Sequence, residues 1–337
     1  MYVLVTGGLG YIGSHTVVEL IKEGKKVIIL DNLSNSDLSN LENLETLTNE
    51  SIIFEHCDIR DKRKLQSLFE KYKIESIVHF AGLKYVEESF INPIEYIDVN
   101  INGTINIIEV CKKFKIKNLV FSSSATVYGK SNPPLKENIK IEKPLNPYGY
   151  SKYICEELIR MSQKEIISTS ITILRYFNPI GAHKSGLIGE KITDYSSNIM
   201  PNILLVADGK KDFLIINGNN YDTKDGTTIR DFIHVVDLAN AHAKALNNNK
   251  AGLNIYNVGT GSGYTILELL QTFQDVNNTK LNINFGKNRE GDIISSFADS
   301  TKIKTELYWS PSYTLADMCK DSWNYYKNQN KRKNTIY

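Results

Sequence analysis

"YVLVTGGLGYIGSHTVVELIKEGKKVIILDN", residues 2–32, changes its periodicity twice. "YVLVTGG" is a short apolar β run. "YIGSHTVVELIKEG" spaces its apolar residues as a helix does and stops at Gly24, and "KKVIILDN" is a second strand. The stretch is a βαβ unit. At its first turn "TGGLGYIG" fits the dinucleotide fingerprint through Gly8, Gly10 and Gly13, and equally a wider glycine spacing through Gly7, Gly10 and Gly13. It follows a strand and opens a helix. In that context glycines let a pyrophosphate come up to the helix N-terminus.

Asp31 ends the second strand, where an acid binds the adenosine ribose hydroxyls. A carboxylate about 4 Å from a 2′-phosphate costs ~4 kcal/mol per unit charge at an effective dielectric of ~20. The expected cofactor is therefore NAD rather than NADP. Asp58, ending "FEHCD", is a second candidate for the adenine side.

Outward from this unit the alternation continues through "SIIFEHCDI", "KLQSLFEKY", "ESIVHFAG", "NPIEYIDVNINGTINIIEVCKKF", "KNLVFSSSATVYG" and "TSITILRYFN". Strands alternating with helices predict an α/β, Rossmann-type, doubly wound parallel sheet. Past Asn178 the pattern loosens into polar, Gly-bearing loops around "VVDLANAHAKAL" and "NIYNVGTGSG". The expected division is a dinucleotide-binding domain over 1–177 and a smaller α/β substrate domain over 178–337, with segments returning to pack on the first.

Composition excludes more than it proposes. The 337 residues carry 40 basic and 38 acidic side chains, so no bulk charge argues for nucleic acid or a membrane surface. Cys57, Cys111, Cys155 and Cys319 form no metal-like or disulfide-like spacing and are expected as reduced thiols. His234 and His242 lack an acidic or thiol partner set, so they are expected to cap and pack, and no metal is proposed. With no leader-like start and no apolar run of bilayer length, the expected compartment is the cytoplasm. The tail "KNQNKRKN" is expected to be solvated and frayed.

"NPYGYSKYICEE", residues 146–157, holds three tyrosines and one lysine. On a helix, Tyr148 and Lys152 share a face, whereas Tyr150 is rotated away and Tyr153 has no lysine four residues on. A phenol of pKa about 10 is a poor base at neutral pH, but a nearby cation lowers it by ~1 to 3 units, and Lys152 is such a cation. Behind a dinucleotide fold and the strand end "FSSSATVYG", this spacing predicts an acid/base site, with Ser124 hydrogen-bonding the same oxygen.

Taken together, "TGGLGYIGSH", "HFAGLK", "SSSATVYG", "YGYSK", "LRYFNPIGAH", "DGTTIRDFIHVVDLA" and "REGD" resemble, in order and over nearly the whole chain, the UDP-glucose 4-epimerases of the extended short-chain dehydrogenases/reductases. The resemblance implies an isomerase holding NAD that is reduced and reoxidised within each turnover. Tyr148 would take the proton of the sugar 4-hydroxyl, Ser124 would assist, and Lys152 would tune Tyr148 and hold the nicotinamide ribose. The transient 4-keto sugar would then turn over and receive hydride on its other face. By the same resemblance Gly7, Gly10, Tyr11, Ile12, Gly13, Asp31, Asn32, Asp58, Ile59, Phe80, Ala81, Gly82, Lys84, Asn100, Tyr148, Lys152 and Phe177 are expected to contact the cofactor. Lys84, Ser124, Tyr148, Asn178, Asn198, Ile199, Asn217, Arg230, Arg289, Asp292 and Ser296 are expected to contact the UDP-sugar. A homodimer is also implied.

Tyr85 and Glu87 stand where the family commonly has small residues, and Phe232 replaces its usual tyrosine. The small Ser296 stands at the position near the sugar C2 substituent, which implies room for an acetamido group and hence activity on UDP-GlcNAc and UDP-GalNAc. Two rival readings are a nucleotide-sugar 4,6-dehydratase, which needs carboxylates where Ala125 and Thr126 stand, and a non-catalytic NAD-sensing protein, which would lack Tyr148 or Lys152.

Overall fold

A computed structural model describes residues 1–192, 198–248, 250–288 and 292–335. The first element, β1 (Tyr2–Thr6), leads into α1 (Tyr11–Lys22), and β2 (Lys26–Asp31) follows. Gly24, with φ of +76°, makes the turn between them. The alternation proceeds through α2 (Ser39–Thr48), β3 (Ile53–His56), α3 (Lys62–Lys71) and β4 (Ile74–His79). Two short helices, α4 (Val86–Ile91) and α5 (Pro93–Tyr96), then run through a π-helical turn at Ile97–Asn102 into α6 (Gly103–Phe114). β5 (Asn118–Ser124), α7 (Pro147–Ser162) and β6 (Ser170–Tyr176) complete this part.

In the second half come β7 (Asn178–Ile180), α8 (Ile199–Ala207), β8 (Leu214–Asn217), β9 (Ile229–Arg230) and β10 (Phe232–His234). They are followed by α9 (Val235–Leu246), β11 (Leu253–Val258), β12 (Tyr264–Thr265) and α10 (Ile266–Asn277). The last are β13 (Ile283–Gly286), β14 (Ser295–Ser296), α11 (Thr301–Glu306) and α12 (Leu315–Thr335).

The main sheet has seven parallel strands in the order β11-β6-β5-β4-β1-β2-β3. Both faces are covered, which is why its strands read as continuous apolar runs. Val3 and Val5 point into one buried layer with α1 and α9, while Leu4 between them points into the other with α3, α6 and α7. The strand order reverses on either side of β1, which opens a crevice beyond the carboxyl ends of β1 and β4. β11 lies in the second half of the sequence yet is the edge strand beside β6, and α9 packs on α1. A separate core gathers α8, α10 and α12 around Phe232, which is fully buried there.

Helix α7 is held by chemistry at both levels. Asn146 accepts the Gly149 N–H at 2.7 Å and Pro147 occupies the first helical position, so the chain enters the helix one residue before Tyr148. Further along, Glu156 accepts Arg175 Nε and Nη2 at 2.9 and 2.5 Å and Ser123 Oγ at 2.5 Å, all fully buried. The tail departs from expectation. "KNQNKRKN" continues α12, with Asn330 donating to Asp208 and Arg332 to Asn43, so helical propagation from a packed helix prevails over fraying. Among the described residues no helix is long and apolar enough to cross a membrane.

Replacing Arg175 by Met should cost about 3–5 kcal/mol in urea denaturation, because it strands the Glu156 carboxylate in the core. Adding Glu156→Met should recover much of the loss. A double variant as unstable as the single one would mean the pair is not the source of the loss.

Candidate active site

One cavity of about 560 Å³ opens at the crevice. Its floor at one end is the turn after β1. Gly7 has φ of +69°, and a Cβ on Gly13 would lie 2.2 Å from the Gly7 carbonyl oxygen, so only glycine lets α1 start this close to β1. This cradle suits a dinucleotide pyrophosphate, since a side chain at either position would displace the loop that receives it.

Asp31 closes the adjacent wall, 6 % exposed, with its carboxylate accepting the Leu9 and Leu33 N–H groups and the Ser36 hydroxyl. Its acceptor oxygens thus hold the glycine loop as well as facing the cavity. Beside it Asn32 donates to Asp58 at 2.9 Å, and Arg60 holds the Asp58 carboxyl down to about 2. Ile59, Phe80, Ala81, Gly82 and Lys84 line the same wall with Gly10, Tyr11 and Ile12.

At the middle of the cavity Ser124 ends β5, and Tyr148 and Lys152 face it from α7. All three are buried, whereas Tyr150 is 44 % exposed on the opposite side of the helix. Lys152 Nζ donates to the Ser122 carbonyl at 3.0 Å, and burial pushes its pKa down. Burial raises the Tyr148 phenol above its ordinary value, and the neighbouring Ser124 hydroxyl and the charge of Lys84 offset that rise only in part. Lys84, from the loop after β4, thus joins the expected Lys152 as a second cation in the cavity that holds the phenol.

Lys84 is itself held. Its ammonium pairs with Glu190 at 2.8 Å and lies over the rings of Tyr11 and Tyr85 at 5.5 and 5.1 Å. Tyr85, unusual by the resemblance, thus packs beneath Lys84, and Glu87 lines the cavity nearby. The far end is lined by Phe177, Asn178, Asn198, Arg230, Asp292 and Ser296. Arg230 Nη2 donates to Asp292 at 2.8 Å, and Ser296 stands opposite Arg230 in the β14–β9 pair. Ser295, its neighbour, is not among the lining residues.

Three expected residues do not line the cavity. Asn100 sits behind it, where its side chain bonds both the N–H and the C=O of Leu83 and the Ser151 hydroxyl, and so shapes the loop carrying Lys84. Ile199 begins α8 and packs against the second core, and Asn217 ends β8. Arg289 lies outside the described residues. Sequence reasoning missed Glu190, Asn146 and Thr126, all of which line the cavity. Only Asn146 had a readable signal, its place before proline at a helix start. His234 caps α9 through the Val236 N–H and stacks on Tyr313, and His242 packs between Phe80 and Tyr176.

A glycine cradle and a serine-tyrosine-lysine cluster facing one cavity of a doubly wound sheet form the layout of a short-chain dehydrogenase/reductase. The family model described as GDP-mannose 4,6 dehydratase matches residues 4–322. UDP-glucose 4-epimerase from Pasteurella multocida is 47 % identical, over 98 % of this chain and 99 % of its own. A crystal structure of UDP-glucose-4-epimerase from Stenotrophomonas maltophila, with bound NAD and formylated UDP-arabinopyranose, superposes with a TM-score of 0.96 at 40 % identity, covering 98 % and 99 % of the two chains. That from Bifidobacterium longum, in complex with NAD+ and UDP, gives 0.94 at 40 % identity, covering 99 % of each. The chain belongs to the UDP-glucose 4-epimerase family.

Gly13→Ala should strip the protein of bound dinucleotide, measured as nucleotide released on denaturation, while leaving the far end of the cavity intact. A variant that retains a full complement would show that the cradle is not where the dinucleotide sits.

Proposed function

We propose that this protein interconverts UDP-glucose and UDP-galactose by inverting C4, with NAD held at the glycine cradle. The observation that carries the reading is the placement of Ser124, Tyr148 and Lys152 between that cradle and the Arg230–Asp292–Ser296 end of a single cavity. NAD, when bound, supplies a reversible hydride store that lets C4 alternate between alcohol and ketone. Tyr148 takes the proton from the sugar 4-hydroxyl and returns it, and Ser124, which lines the same cavity, assists by donating to the phenol oxygen. The charge of Lys84 offsets part of the upward push of burial on the phenol, and Lys152, buried beside the Ser122 carbonyl, is suited to hold the nicotinamide ribose.

The residues of 1–177, joined by the returning strand β11, serve the cofactor in this reading, and 178–337 serve the UDP-sugar. Arg230 suits a diphosphate and Asp292 a uridine ribose, with Asn178, Asn198, Ile199, Asn217 and Arg289 completing that side. A 4,6-dehydratase needs a carboxylate beside Ser124. Ala125 and Thr126 supply none, and the Thr126 hydroxyl is bonded to Ser124. A homodimer and a cytoplasmic location complete the proposal. The exposed apolar side chains Ile94, Ile97, Ile105 and Met161 support the dimer, in which a second copy would cover them.

The test is proton NMR of UDP-galactose incubated with the purified protein and no added reductant. UDP-glucose should appear, Tyr148→Phe should lose about 10²- to 10⁴-fold in rate, and Tyr150→Phe should not. No conversion unless NADH is supplied and consumed stoichiometrically, or equal losses in two folded variants, would refute the reading.

Ser296 supports a wider substrate range. Overpacking a tight site costs about 1 to 3 kcal/mol, or roughly 5- to 150-fold, and a serine there leaves room for an acetamido group. UDP-GalNAc should also be converted, and Ser296→Tyr should remove that activity while sparing UDP-galactose. No turnover of UDP-GalNAc by an enzyme fully active on UDP-galactose would refute it.

A further inference from the structure

The Ser124 hydroxyl can point in several directions, and only one of them serves Tyr148. Ser124 Oγ accepts the backbone N–H of Thr126 at 3.2 Å, a group that can only donate. It also accepts the Thr126 hydroxyl at 2.9 Å. With both lone pairs taken, the one remaining hydrogen-bonding capacity of Ser124 is its own proton. Thr126 is in turn clamped against α7. A Cβ on Gly149, the residue after Tyr148, would lie 3.1 to 3.2 Å from the Thr126 carbonyl oxygen, Cβ and Oγ1, so the glycine of "YGYSK" leaves the room in which Thr126 sits.

We propose that Thr126 is a positioning residue that sets the direction of the Ser124 hydroxyl, so that its proton is donated to the Tyr148 phenol oxygen. The inference rests on the acid/base reading of Ser124 and Tyr148 given above. Without the Thr126 hydroxyl, Ser124 oxygen regains a free lone pair, its proton can turn elsewhere, and it becomes a weaker donor to the phenolate. The phenolate is then less stabilised and the phenol titrates at higher pH. The other groups facing Tyr148 are left in place by the substitution. They are Lys84 from the loop after β4, Lys152 from its own helix, Tyr176 from β6, and Tyr96, edge-on at 6.4 Å and hydrogen-bonded to Glu88.

The experiment is a pH titration of the NAD-loaded protein carrying tyrosine labelled with carbon-13 at Cζ, with the Tyr148 signal identified by its loss in Tyr148→Phe. Thr126→Val, which keeps the branched shape, should move the Tyr148 titration upward by about 0.5 to 1 pH unit, and the acidic limb of kcat/KM with it. Activity at neutral pH should fall about three- to tenfold, and Thr126→Ser should restore both. Thr126→Ala, which removes the same donor without filling its space, should repeat the valine result and guards against a distorted loop. A Tyr148 titration unmoved in Thr126→Val and Thr126→Ala, or moved equally by Thr126→Ser, would overturn the proposal. Failure of the parent protein to turn over UDP-galactose, with the Tyr148 titration still moving, would instead overturn the epimerase reading and leave this one standing.

Discussion

The carboxylate of Glu156 is where the helix α7, which carries Tyr148 and Lys152, and the sheet become one body. It accepts the guanidinium of Arg175 from β6 and the hydroxyl of Ser123 from β5, with every participant fully buried. Neither charge could stay in the core alone, so the helix can dock only where the fork meets the carboxylate. That docking sets the spacing between Ser124, one residue beyond Ser123, and Tyr148, two turns before Glu156. A helix held by apolar packing alone could slide or rotate by a fraction of a turn at little cost. One held by a bidentate ion pair cannot.

The cavity depends on a second constraint, the approach of α1 to β1 through Gly7 and Gly13. This brings a helix N-terminus and a ring of backbone amides to the strand ends, which is a favourable place for phosphate. Two of the cations around the rest of the cavity are held in ion pairs, Lys84 with Glu190 and Arg230 with Asp292. These two therefore face the site with their positions already held. Tyr11 links the two halves, since its hydroxyl donates to Gly181 just beyond β7 while its backbone opens α1.

Much of this was legible in the chain. The helix α9 coincides with "VVDLANAHAKAL", and α7 begins where Asn-Pro signals it, because capping and periodicity are local properties. The glycine turn, Asp31 and the Tyr148–Lys152 face were readable for the same reason. What was not legible involves partners distant in sequence. Glu190 meets Lys84 across 106 positions, and Asn100 shapes the loop before Lys84 from a π-helical turn that no apolar spacing announces. The tail was read as frayed from its charge; Lys331 and Arg332 are indeed exposed, but they extend a helix whose packed face lies well upstream.

The sequence by itself determined the class of fold, the dinucleotide turn and the pair of side chains that share a helix face, since each is written within a few turns of chain. Only the tertiary structure decided that Lys84 joins Lys152 in the cavity around Tyr148, that the Thr126 hydroxyl meets Ser124, and that Ser296 rather than Ser295 lines the cavity. Charge and hydrogen bonding act through a few ångströms of space, and the residues that come within that reach are chosen by how the helices dock on the sheet.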